Sequence, residues 1–407
     1  MHNTGVLIVG AGQCGISAAD NLRRAGYKGL VTLLGEEADA PYQRPPISKQ
    51  ALAGEYPLTR LTIRAADYFE KNGINLVVAT RATAIDRKAK VVATAGGTSF
   101  GYDKLILATG ARPRSLNIPG RRLRNIFDLR TLADLRSAMP VLKSAKRLAV
   151  VGGGFVGLEV AATARKLGLA VTVVESEARI MSRVFGQPMS EWFANLHTKN
   201  GTELLTSTKV SAFAGTDRVE AVVCGDREVP ADIVVLGIGI LPNQELASDA
   251  GVICDDGIVV DPNCRTSDPD IFAAGDCARH TSAFYKRSIR LESVHNANAQ
   301  ARVAANTIAG VEEHYDEIPW FWSDQYDVRL QMAGLSQGHD VAVVRGAPSA
   351  GKFTTLYLRE DQVIAADCVN SPAEFMQCRK GIPTRQRVTA ARLKDPDVSL
   401  ADIFSGK

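Results

Sequence analysis

Hydrophobic and polar positions in the first forty residues alternate between short apolar runs and one amphipathic stretch. The runs Val6–Val9 and Leu30–Leu34 predict buried strands, and the stretch Ile16–Arg24 between them predicts a helix. A glycine turn separates the first strand from the helix, with glycines at Gly10, Gly12 and Gly15. Strand, glycine turn, helix and strand in this order are typical of a dinucleotide-binding unit.

Each glycine of this first turn has its own physical task. Gly10 permits the tight turn, Gly12 lets the backbone approach a pyrophosphate, and Gly15 lets the helix pack closely on the strand. The helix N-terminus offers free N–H groups and partial positive charge to the phosphates. Glu36 follows about 20 residues later, where a carboxylate can accept hydrogen bonds from ribose hydroxyls. The opening of the chain therefore predicts a dinucleotide site.

The same hydrophobic pattern returns in the middle of the chain. Arg147–Val151 predicts a strand, Leu158–Leu167 a helix and Val171–Val174 a further strand. The second glycine turn contains Gly152, Gly154 and Gly157. Two complete fingerprints predict two bound dinucleotides rather than one.

Glu175 ends the second unit and bears on the form of nicotinamide cofactor. A carboxylate at this position accepts a hydrogen bond from a free 2′-hydroxyl and repels a 2′-phosphate, so we expect NADH rather than NADPH. Arg179 and Arg183 lie nearby in the sequence. They would weaken that preference if they reached the cofactor, but they are equally compatible with solvated surface charge.

Later apolar runs predict the rest of the architecture. Leu105–Leu107 is expected to be a parallel strand beside the first one, and Ile271–Ala273 another strand, with Asp276 just ahead of a helix. Asp276 would bind sugar hydroxyls or simply cap that helix. Val294 should open a further helix, and Ser48 should cap one that begins near Lys49.

Composition places the chain among ordinary globular proteins. Its 407 residues, 45% apolar and 23% charged, suggest two or three domains, and the net charge of +4 gives no reason to expect nucleic acid binding. No apolar stretch is long enough to predict a transmembrane helix. The seven cysteines are scattered without a CxxC and the six histidines are isolated. We therefore expect a cytoplasmic protein without a metal site.

Several motifs together carry a specific family resemblance: GAGQCG, RPPISK, ILATGARPR, GGGFVGLEVAA, GIGILPN, TSDPDIFAAGDCAR, ESVHNA and PWFWSDQYDV. With these stretches the chain resembles, over nearly its whole length, the FAD-dependent ferredoxin reductases that serve bacterial oxygenases. The resemblance implies a glutathione-reductase-like α/β fold with two Rossmann-type dinucleotide-binding domains and a C-terminal α+β domain. The implied domains are FAD-binding (1–111 and 243–318), NADH-binding (112–242) and C-terminal (319–407).

The resemblance also implies the chemistry and its residues. NADH would reduce a non-covalently bound FAD, and electrons would leave singly to a [2Fe–2S] ferredoxin that supplies a P450 or Rieske oxygenase. The residues implied to contact FAD are Cys14, Glu36, Arg44, Lys49, Ala82, Arg130, Asp276 and Val294. Those implied on the nicotinamide side are Gly154, Glu159, Glu175 and Arg183. Gly239, in the GIGILPN motif, is a further cofactor-binding candidate.

Three residues are candidates for a direct part in electron transfer. By the resemblance, Lys49 and Glu159 match positions near flavin N5, where we expect them to form an ion pair. Trp322 would lie between the flavin and the ferredoxin surface. The ordinary alternatives are a solvated surface lysine for Lys49 and a helix-surface acid for Glu159.

Residues 37–60 contain no cysteine. Disulfide reductases of this fold carry a CxxxxC where this chain has Pro45 to Lys49, so we expect no thiol relay and a one-electron acceptor.

Between Met376 and Lys394 all charged residues are basic. This run is either a solvated face or a landing surface for an acidic ferredoxin. We expect a monomer or weak dimer that binds neither nucleic acid nor membrane.

Two other functions compete with this prediction. One is an NADH reductase that serves a rubredoxin or a quinone. The other is a flavin-bound NADH sensor resembling apoptosis-inducing factor, which would act through partner binding and turn over slowly. Fold alone does not separate these functions, because one fold supports many activities.

Overall fold

The structure is a computed structural model that describes residues 2–406, with side chains described from residue 5 to residue 406. The described chain forms two compact units. The first comprises residues up to 43, 59–112 and 241–319, and the second comprises 44–58, 113–240 and residues from 320 onward. The division into three domains stays a prediction.

The helices of the described residues are mostly short. They are α1 (Gln13–Arg24), α2 (Asp67–Lys71), α3 (Leu132–Ser144), α4 (Phe155–Lys166), α5 (Gln187–Lys199), α6 (Glu245–Asp249), α7 (Val294–Ile308), α8 (Pro372–Gly381), α9 (Ala390–Lys394) and α10 (Leu400–Phe404).

The strands of the described residues fall into several sheets. They are β1 (His2–Val9), β2 (Val31–Leu34), β3 (Ile74–Val77), β4 (Ala82–Asp86), β5 (Val91–Thr94), β6 (Ser99–Leu107), β7 (Ala111–Pro113), β8 (Ile126–Phe127), β9 (Arg147–Val151), β10 (Ala170–Val174), β11 (Thr202–Leu205), β12 (Ala212–Ala214), β13 (Ala221–Cys224), β14 (Arg227–Pro230), β15 (Ile233–Leu236), β16 (Ile240–Pro242), β17 (Ile258–Val260), β18 (Ile271–Ala273), β19 (Ala278–Ser282), β20 (Arg287–Arg290), β21 (Trp320–Gln325), β22 (Val328–Gly334), β23 (Val341–Ala347), β24 (Lys352–Arg359) and β25 (Gln362–Val369).

The first unit is built on a sheet with the order β3-β2-β1-β6-β5-β4, in which β18 also pairs with β6. Val6 lies opposite Val31 on one side and Lys104 on the other, and both pairings are parallel. The predicted strand Val6–Val9 is buried along its length, as expected for a parallel strand covered on both faces. Helices α1 and α7 pack together in this unit.

The second unit contains a parallel sheet with the order β11-β10-β9-β15-β8 and an antiparallel sheet with the order β21-β22-β25-β24-β23. In the parallel sheet Val150 pairs with Val173 and Val235. A small antiparallel sheet, β12-β13-β14, is formed by the residues between β11 and β15 in the chain. Helix α4 packs on β9 and β10, and it also contacts β21. The strand–turn–helix–strand pattern therefore folds as the apolar runs predict.

Two local predictions are wrong. Ser48 does not begin a helix: it ends a single 3-10 turn (Pro45–Ser48), and its hydroxyl donates to the distant Glu159. Asp276 does not precede a helix either, because a single turn (Gly275–Cys277) leads directly into β19. In both cases a short polar segment has the composition of a helix start, but tertiary contacts determine its conformation.

Candidate active site

The first glycine turn, between β1 and α1, leaves no room for side chains where the chain turns. Gly10 has φ +113°, and a Cβ atom there would lie 2.1 Å from the carbonyl oxygen of Ala108. A Cβ atom at Gly15 would lie 1.8 Å from the carbonyl oxygen of Gly10. At Gly12 a Cβ atom would meet nothing within 4 Å, so the turn is open there. This shape fits a pyrophosphate that approaches the backbone at Gly12.

Helix α1 begins at this opening. Its N-cap is Gly12, and within residues 2–406 no side chain caps the helix. The first N–H groups of a helix lack intrahelical partners, and an anion satisfies them well. Gln13, in the first turn, donates through Nε2 to Oδ1 of Asn298 on α7 at 2.8 Å, which ties the two helices together.

Cys14 packs against Gly275, in the turn that carries Asp276, in this first unit. Cys14 is buried, and a Cβ atom at Gly275 would lie 3.2 Å from its Sγ. Burial raises the pKa of the Cys14 thiol well above its usual value, so this thiol stays protonated. The turn of Asp276 is fixed by Gly275, whose N–H donates to Oε1 of the buried Gln300 at 2.9 Å. Cys14 is therefore a packing group rather than a nucleophile.

Glu36 lies at the rim of a cavity of about 460 Å³ in the first unit. Its side chain is 67% exposed, and Oε1 lies 3.7 Å from Nη1 of Arg81. Residues 79–81, immediately before Ala82, line the same cavity. An exposed carboxylate beside a cavity of this size suits a ribose and its base.

Val294 is the first residue of α7, as predicted. The helix is capped by Ser293, whose hydroxyl accepts from the backbone N–H of Asn296 at 3.1 Å. In the sequence, the serine before Val294 is the one signal of this cap. A capped N-terminus still presents partial positive charge toward a ligand.

The second glycine turn, between β9 and α4, repeats the first. Gly152 has φ +106°, and a Cβ atom there would lie 2.4 Å from the carbonyl oxygen of Gly237. A Cβ atom at Gly157 would lie 2.2 Å from the carbonyl oxygen of Gly152. At Gly154 the nearest atom would be 3.9 Å away, and Gly154 is the N-cap of α4, so this turn also opens at the helix N-terminus. The residues fit a second dinucleotide.

Glu175 has a structural task that the sequence does not reveal. Its Oε2 accepts from the backbone N–H of Gly153 at 2.7 Å, and its Oε1 accepts from that of Glu177 at 2.9 Å. The carboxylate thus fixes the glycine turn from the end of β10. An oxygen accepts more than one hydrogen bond, so these contacts leave Glu175 able to bind a ribose hydroxyl.

Arg183 and Gly239 lie close together. Gly239 has φ +97°, and a Cβ atom there would lie 3.3 Å from Nη1 of Arg183. Arg114 also binds this turn, because its backbone N–H donates to the Gly239 carbonyl at 2.9 Å. The left-handed glycine therefore lets a guanidinium approach the backbone.

Arg44 and Arg130 are in contact as well. Nη1 of Arg44 donates to the carbonyl oxygen of Arg130 at 2.9 Å. The backbone N–H of Arg130 donates to Oδ2 of Asp134, which forms a capping box with Thr131 at the start of α3. The Arg44 guanidinium is thus held against the backbone of Arg130, just ahead of α3.

Lys49 and Glu159 form the expected ion pair. Nζ of Lys49 lies 2.6 Å from Oε2 of Glu159, and the two side chains are 11% and 5% exposed. Glu159 is buried on α4 rather than exposed on a helix surface. Thr163, one turn further along α4, donates to the carbonyl oxygen of Ser48 at 3.0 Å, which holds the Lys49 segment on the helix.

The sequence did not predict that two serines would contact Glu159. The hydroxyl of Ser48 donates to Oε2 at 2.5 Å, and that of Ser323 donates to Oε1 at 2.7 Å. Ser323 and Gln325 are buried polar residues two positions apart on β21, so they share one face of the strand. That spacing in the WSDQ motif was the available signal.

Trp322 lies on the other face of β21 from Ser323. Its ring centroid is 5.7 Å from that of Trp320, and the guanidinium of Arg379 on α8 lies 5.0 Å from the centroid of Trp320. Arg379 begins the basic run that the sequence singled out. Strand β21 therefore connects the Glu159 site on one face with an aromatic and basic cluster on the other.

Comparison with known proteins identifies the family. The pyridine nucleotide-disulphide oxidoreductase family matches residues 4–301, and a Reductase C-terminal domain matches residues 320–404. The chain belongs to this oxidoreductase family.

Individual relatives are similar to this chain over nearly its full length. Putidaredoxin reductase CamA of Pseudomonas putida is 42% identical over 99% of this chain and 97% of its own length. The anthranilate 1,2-dioxygenase system ferredoxin–NAD(+) reductase component of Burkholderia cepacia is 40% identical over 97% of this chain and 98% of its own. The structure of a covalent putidaredoxin reductase–putidaredoxin complex superposes with a TM-score of 0.96, at 41% identity, and covers 100% of this chain and 99% of that one.

These matches confirm the resemblance to ferredoxin reductases of oxygenase systems and the predicted fold class. They also confirm that the chain is an oxidoreductase of a family that uses FAD and NADH. Within residues 2–406, every helix is too short or too polar to cross a bilayer. The individual cofactor contacts stay predictions.

Proposed function

We propose that this chain is an NADH-dependent ferredoxin reductase, which delivers electrons to a [2Fe–2S] ferredoxin that supplies a P450 or Rieske oxygenase. The observation that carries the proposal is the buried Lys49–Glu159 pair, in which Lys49 belongs to the segment 37–60 that contains no cysteine. A charge pair in place of a redox-active disulfide leaves no thiol to receive electrons. The full-length similarity to ferredoxin reductases supports the same conclusion.

The residues of the chain divide the work of binding. When bound, FAD accepts an electron pair from NADH and releases the electrons one at a time. The N–H groups at Gly12 would hold the FAD pyrophosphate, with Glu36 on its ribose and Asp276 near the phosphates. The N–H groups at Gly154 would hold the NADH pyrophosphate, and Glu175 would accept from the adenosine ribose.

Lys49 and Glu159 would tune charge at the isoalloxazine ring. An ammonium group near the ring stabilises added negative charge, and a neighbouring carboxylate offsets this effect. Since both groups are largely removed from water, their fields are poorly screened. The pair would therefore set how readily the flavin takes up electrons.

Electrons would pass from the flavin to the ferredoxin along β21. Trp322 and Trp320 are in ring contact, and Arg379 packs over Trp320 at the start of the basic run. Arg385 and Arg387 in the same run are exposed. A basic surface beside an aromatic cluster fits an acidic ferredoxin, because charge complementarity orients a transient electron-transfer partner. We further propose a cytoplasmic monomer or weak dimer.

The test is NADH-driven reduction across a panel of acceptors. We expect several-fold faster cytochrome c reduction when a [2Fe–2S] ferredoxin is added, and little effect of rubredoxin or quinone. A preference for rubredoxin or quinone would overturn the ferredoxin assignment. Slow turnover with every acceptor, together with a long-lived charge-transfer complex, would favour an NADH sensor instead.

A further inference from the structure

Glu159 is the end point of a longer buried chain of hydrogen bonds. Its two oxygens receive hydrogen bonds from three groups: Ser48 and Lys49 on Oε2, and Ser323 on Oε1. A carboxylate only accepts, so each of these groups must donate. Ser323 therefore uses its single hydroxyl proton on Glu159.

The hydrogen bond from Ser323 to Glu159 determines the direction of the next hydrogen bond in the chain, between Gln325 and Ser323. Since the proton of Ser323 is used, its oxygen can only accept, and Nε2 of Gln325 donates to it at 3.1 Å. The amide of Gln325 is thereby oriented with Oε1 toward His197, whose Nε2 lies 2.9 Å away. Oε1 is an acceptor, so His197 must carry its proton on Nε2.

The direction continues beyond the imidazole. In neutral His197 the other nitrogen, Nδ1, accepts, and its partner at 3.3 Å is the hydroxyl of Tyr326. Tyr326 then accepts in turn from the hydroxyl of Thr202, at 3.1 Å. Every donor in the series points the same way, from β11 through α5 and β21 to Glu159.

Burial makes this order costly to break. Ser323, Gln325 and His197 are each at most 1% exposed, so a lost partner cannot be replaced by bulk water. Burial lowers the pKa of His197, which keeps the imidazole neutral as the chain of donors requires. Buried networks in which every member is satisfied hold one arrangement of their groups.

We propose that Ser323, Gln325 and His197 are positioning residues for Glu159, which hold its carboxylate in register with Lys49 through a one-directional hydrogen-bond chain. Strand β21 would thus contribute to the redox site as well as to the proposed electron exit. The inference deepens the proposed function and rests on it for the effect on the flavin, whereas the direction of the chain rests on the contacts alone.

The direction can be measured on the unmodified protein, with one variant used only to assign the signal. In the full-length FAD-loaded protein with ¹⁵N-labelled histidine, long-range ¹H–¹⁵N spectra report which ring nitrogen is protonated. We expect His197, assigned by the signals lost in His197→Gln, to be neutral and protonated on Nε2. A neutral imidazole protonated on Nδ1, or a charged ring, would overturn the inference.

The positioning role is tested by a double-mutant cycle read out in the flavin midpoint potential and visible spectrum. Ser323→Ala should move both in the same sense as Glu159→Gln but by a smaller amount, because the carboxylate loses one of the hydrogen bonds that hold it beside Lys49. In the Glu159→Gln background it should have no further effect, because Ser323 acts through the carboxylate. Additive shifts, or no shift from Ser323→Ala alone, would contradict the proposal.

Matched variants separate this inference from the proposed function. Ser323→Thr keeps the hydroxyl and should restore the wild-type potential. Ser137→Ala removes an exposed serine that bonds only its own helix, and should change nothing. If NADH fails to reduce the FAD of the unmodified protein, the proposed function fails, while the tautomer of His197 is still measured independently.

Discussion

Nζ of Lys49 lies 2.6 Å from Oε2 of Glu159, and neither side chain is more than 11% exposed. Breaking one partner of such a pair leaves a charge in a poorly solvated place, which costs about 3–5 kcal/mol in comparable cases. The pair is therefore unlike the many exposed ion pairs of this chain, which contribute little to stability. Because the pair is buried and Lys49 lies in a segment without cysteine, we propose a role in electron transfer for it.

Removing one charge at a time should move the flavin potential in opposite directions. Lys49→Met deletes the cation and should lower the midpoint potential and slow reduction by NADH by about tenfold, the equivalent of about 1.4 kcal/mol. Glu159→Gln leaves the ammonium unopposed and should raise the potential. Spectroelectrochemical titration of each variant measures both effects.

The double variant Lys49→Met with Glu159→Gln is the control for charge balance. It removes both charges and should return the potential toward that of the unmodified protein. If all three variants keep the wild-type potential, the pair has no role at the flavin.

The two open glycines should separate FAD binding from NADH binding. Gly12→Ala and Gly154→Ala place a methyl group where no atom lies closer than 3.9 Å, so both proteins should fold with near-normal thermal stability. Gly12→Ala should lose FAD, because the methyl group occupies the space of the pyrophosphate. Gly154→Ala should keep FAD and bind NADH at least tenfold more weakly (about 1.4 kcal/mol).

Gly15→Ala is the matched comparison for these two variants. Its methyl group would lie 1.8 Å from the carbonyl oxygen of Gly10, so it should lower thermal stability even in the absence of cofactor. Retention of FAD by Gly12→Ala, measured by absorbance after gel filtration, would contradict the assignment of the first turn.

Much of this architecture follows from local sequence, but the centre of the site does not. The strands and both glycine turns could be predicted because periodicity and backbone constraints act over a few residues. The ion pair of Lys49 with Glu159 was expected only from the family resemblance.

The parts of the site that could not be predicted depend on contacts between segments that are distant in the sequence. The hydroxyl of Ser48 was expected to cap a helix, yet its partner lies 111 residues away in the chain. Ser323 and His197 come from separate segments, and sequence does not indicate that their polar groups are buried together. Glu175 was assigned to a ribose, but its contact with the Gly153 N–H depends on the shape of the turn it completes.

Reversing exposed basic charge should weaken ferredoxin reduction selectively. Arg385→Glu with Arg387→Glu should slow ferredoxin reduction severalfold at low salt, and the difference should shrink as ionic strength rises. Ferricyanide reduction should not change, because a small acceptor needs no docking surface. Lys209→Glu with Arg218→Glu makes the same change in net charge at exposed positions elsewhere and should have little effect. Equal losses with both acceptors would exclude docking at this surface.

Asp367 should make stability depend on pH. Burial raises the pKa of this carboxyl from its usual value to about 7, although Tyr357 donates to its Oδ2 at 2.6 Å. In the unfolded chain the group ionises near pH 4, so the folded state retains a proton that the unfolded state has lost. Stability should therefore fall as pH rises from about 4 to about 7, by up to about 1.4 kcal/mol per unit.

Asp367→Asn removes this titration and should flatten the pH profile of denaturant unfolding over that range. Asp327→Asn changes an exposed aspartate and should keep the wild-type profile. An unchanged profile in Asp367→Asn would show that the buried carboxyl does not titrate there.

The most direct test of the central claim is the stoichiometry of anaerobic electron transfer from NADH to a [2Fe–2S] ferredoxin, with the thiols of the reductase alkylated wherever reagent reaches them. The account predicts that each NADH reduces two ferredoxin molecules, and that alkylation leaves this ratio and its rate unchanged. Oxidation of NADH without reduced ferredoxin, or loss of transfer on alkylation, would contradict it.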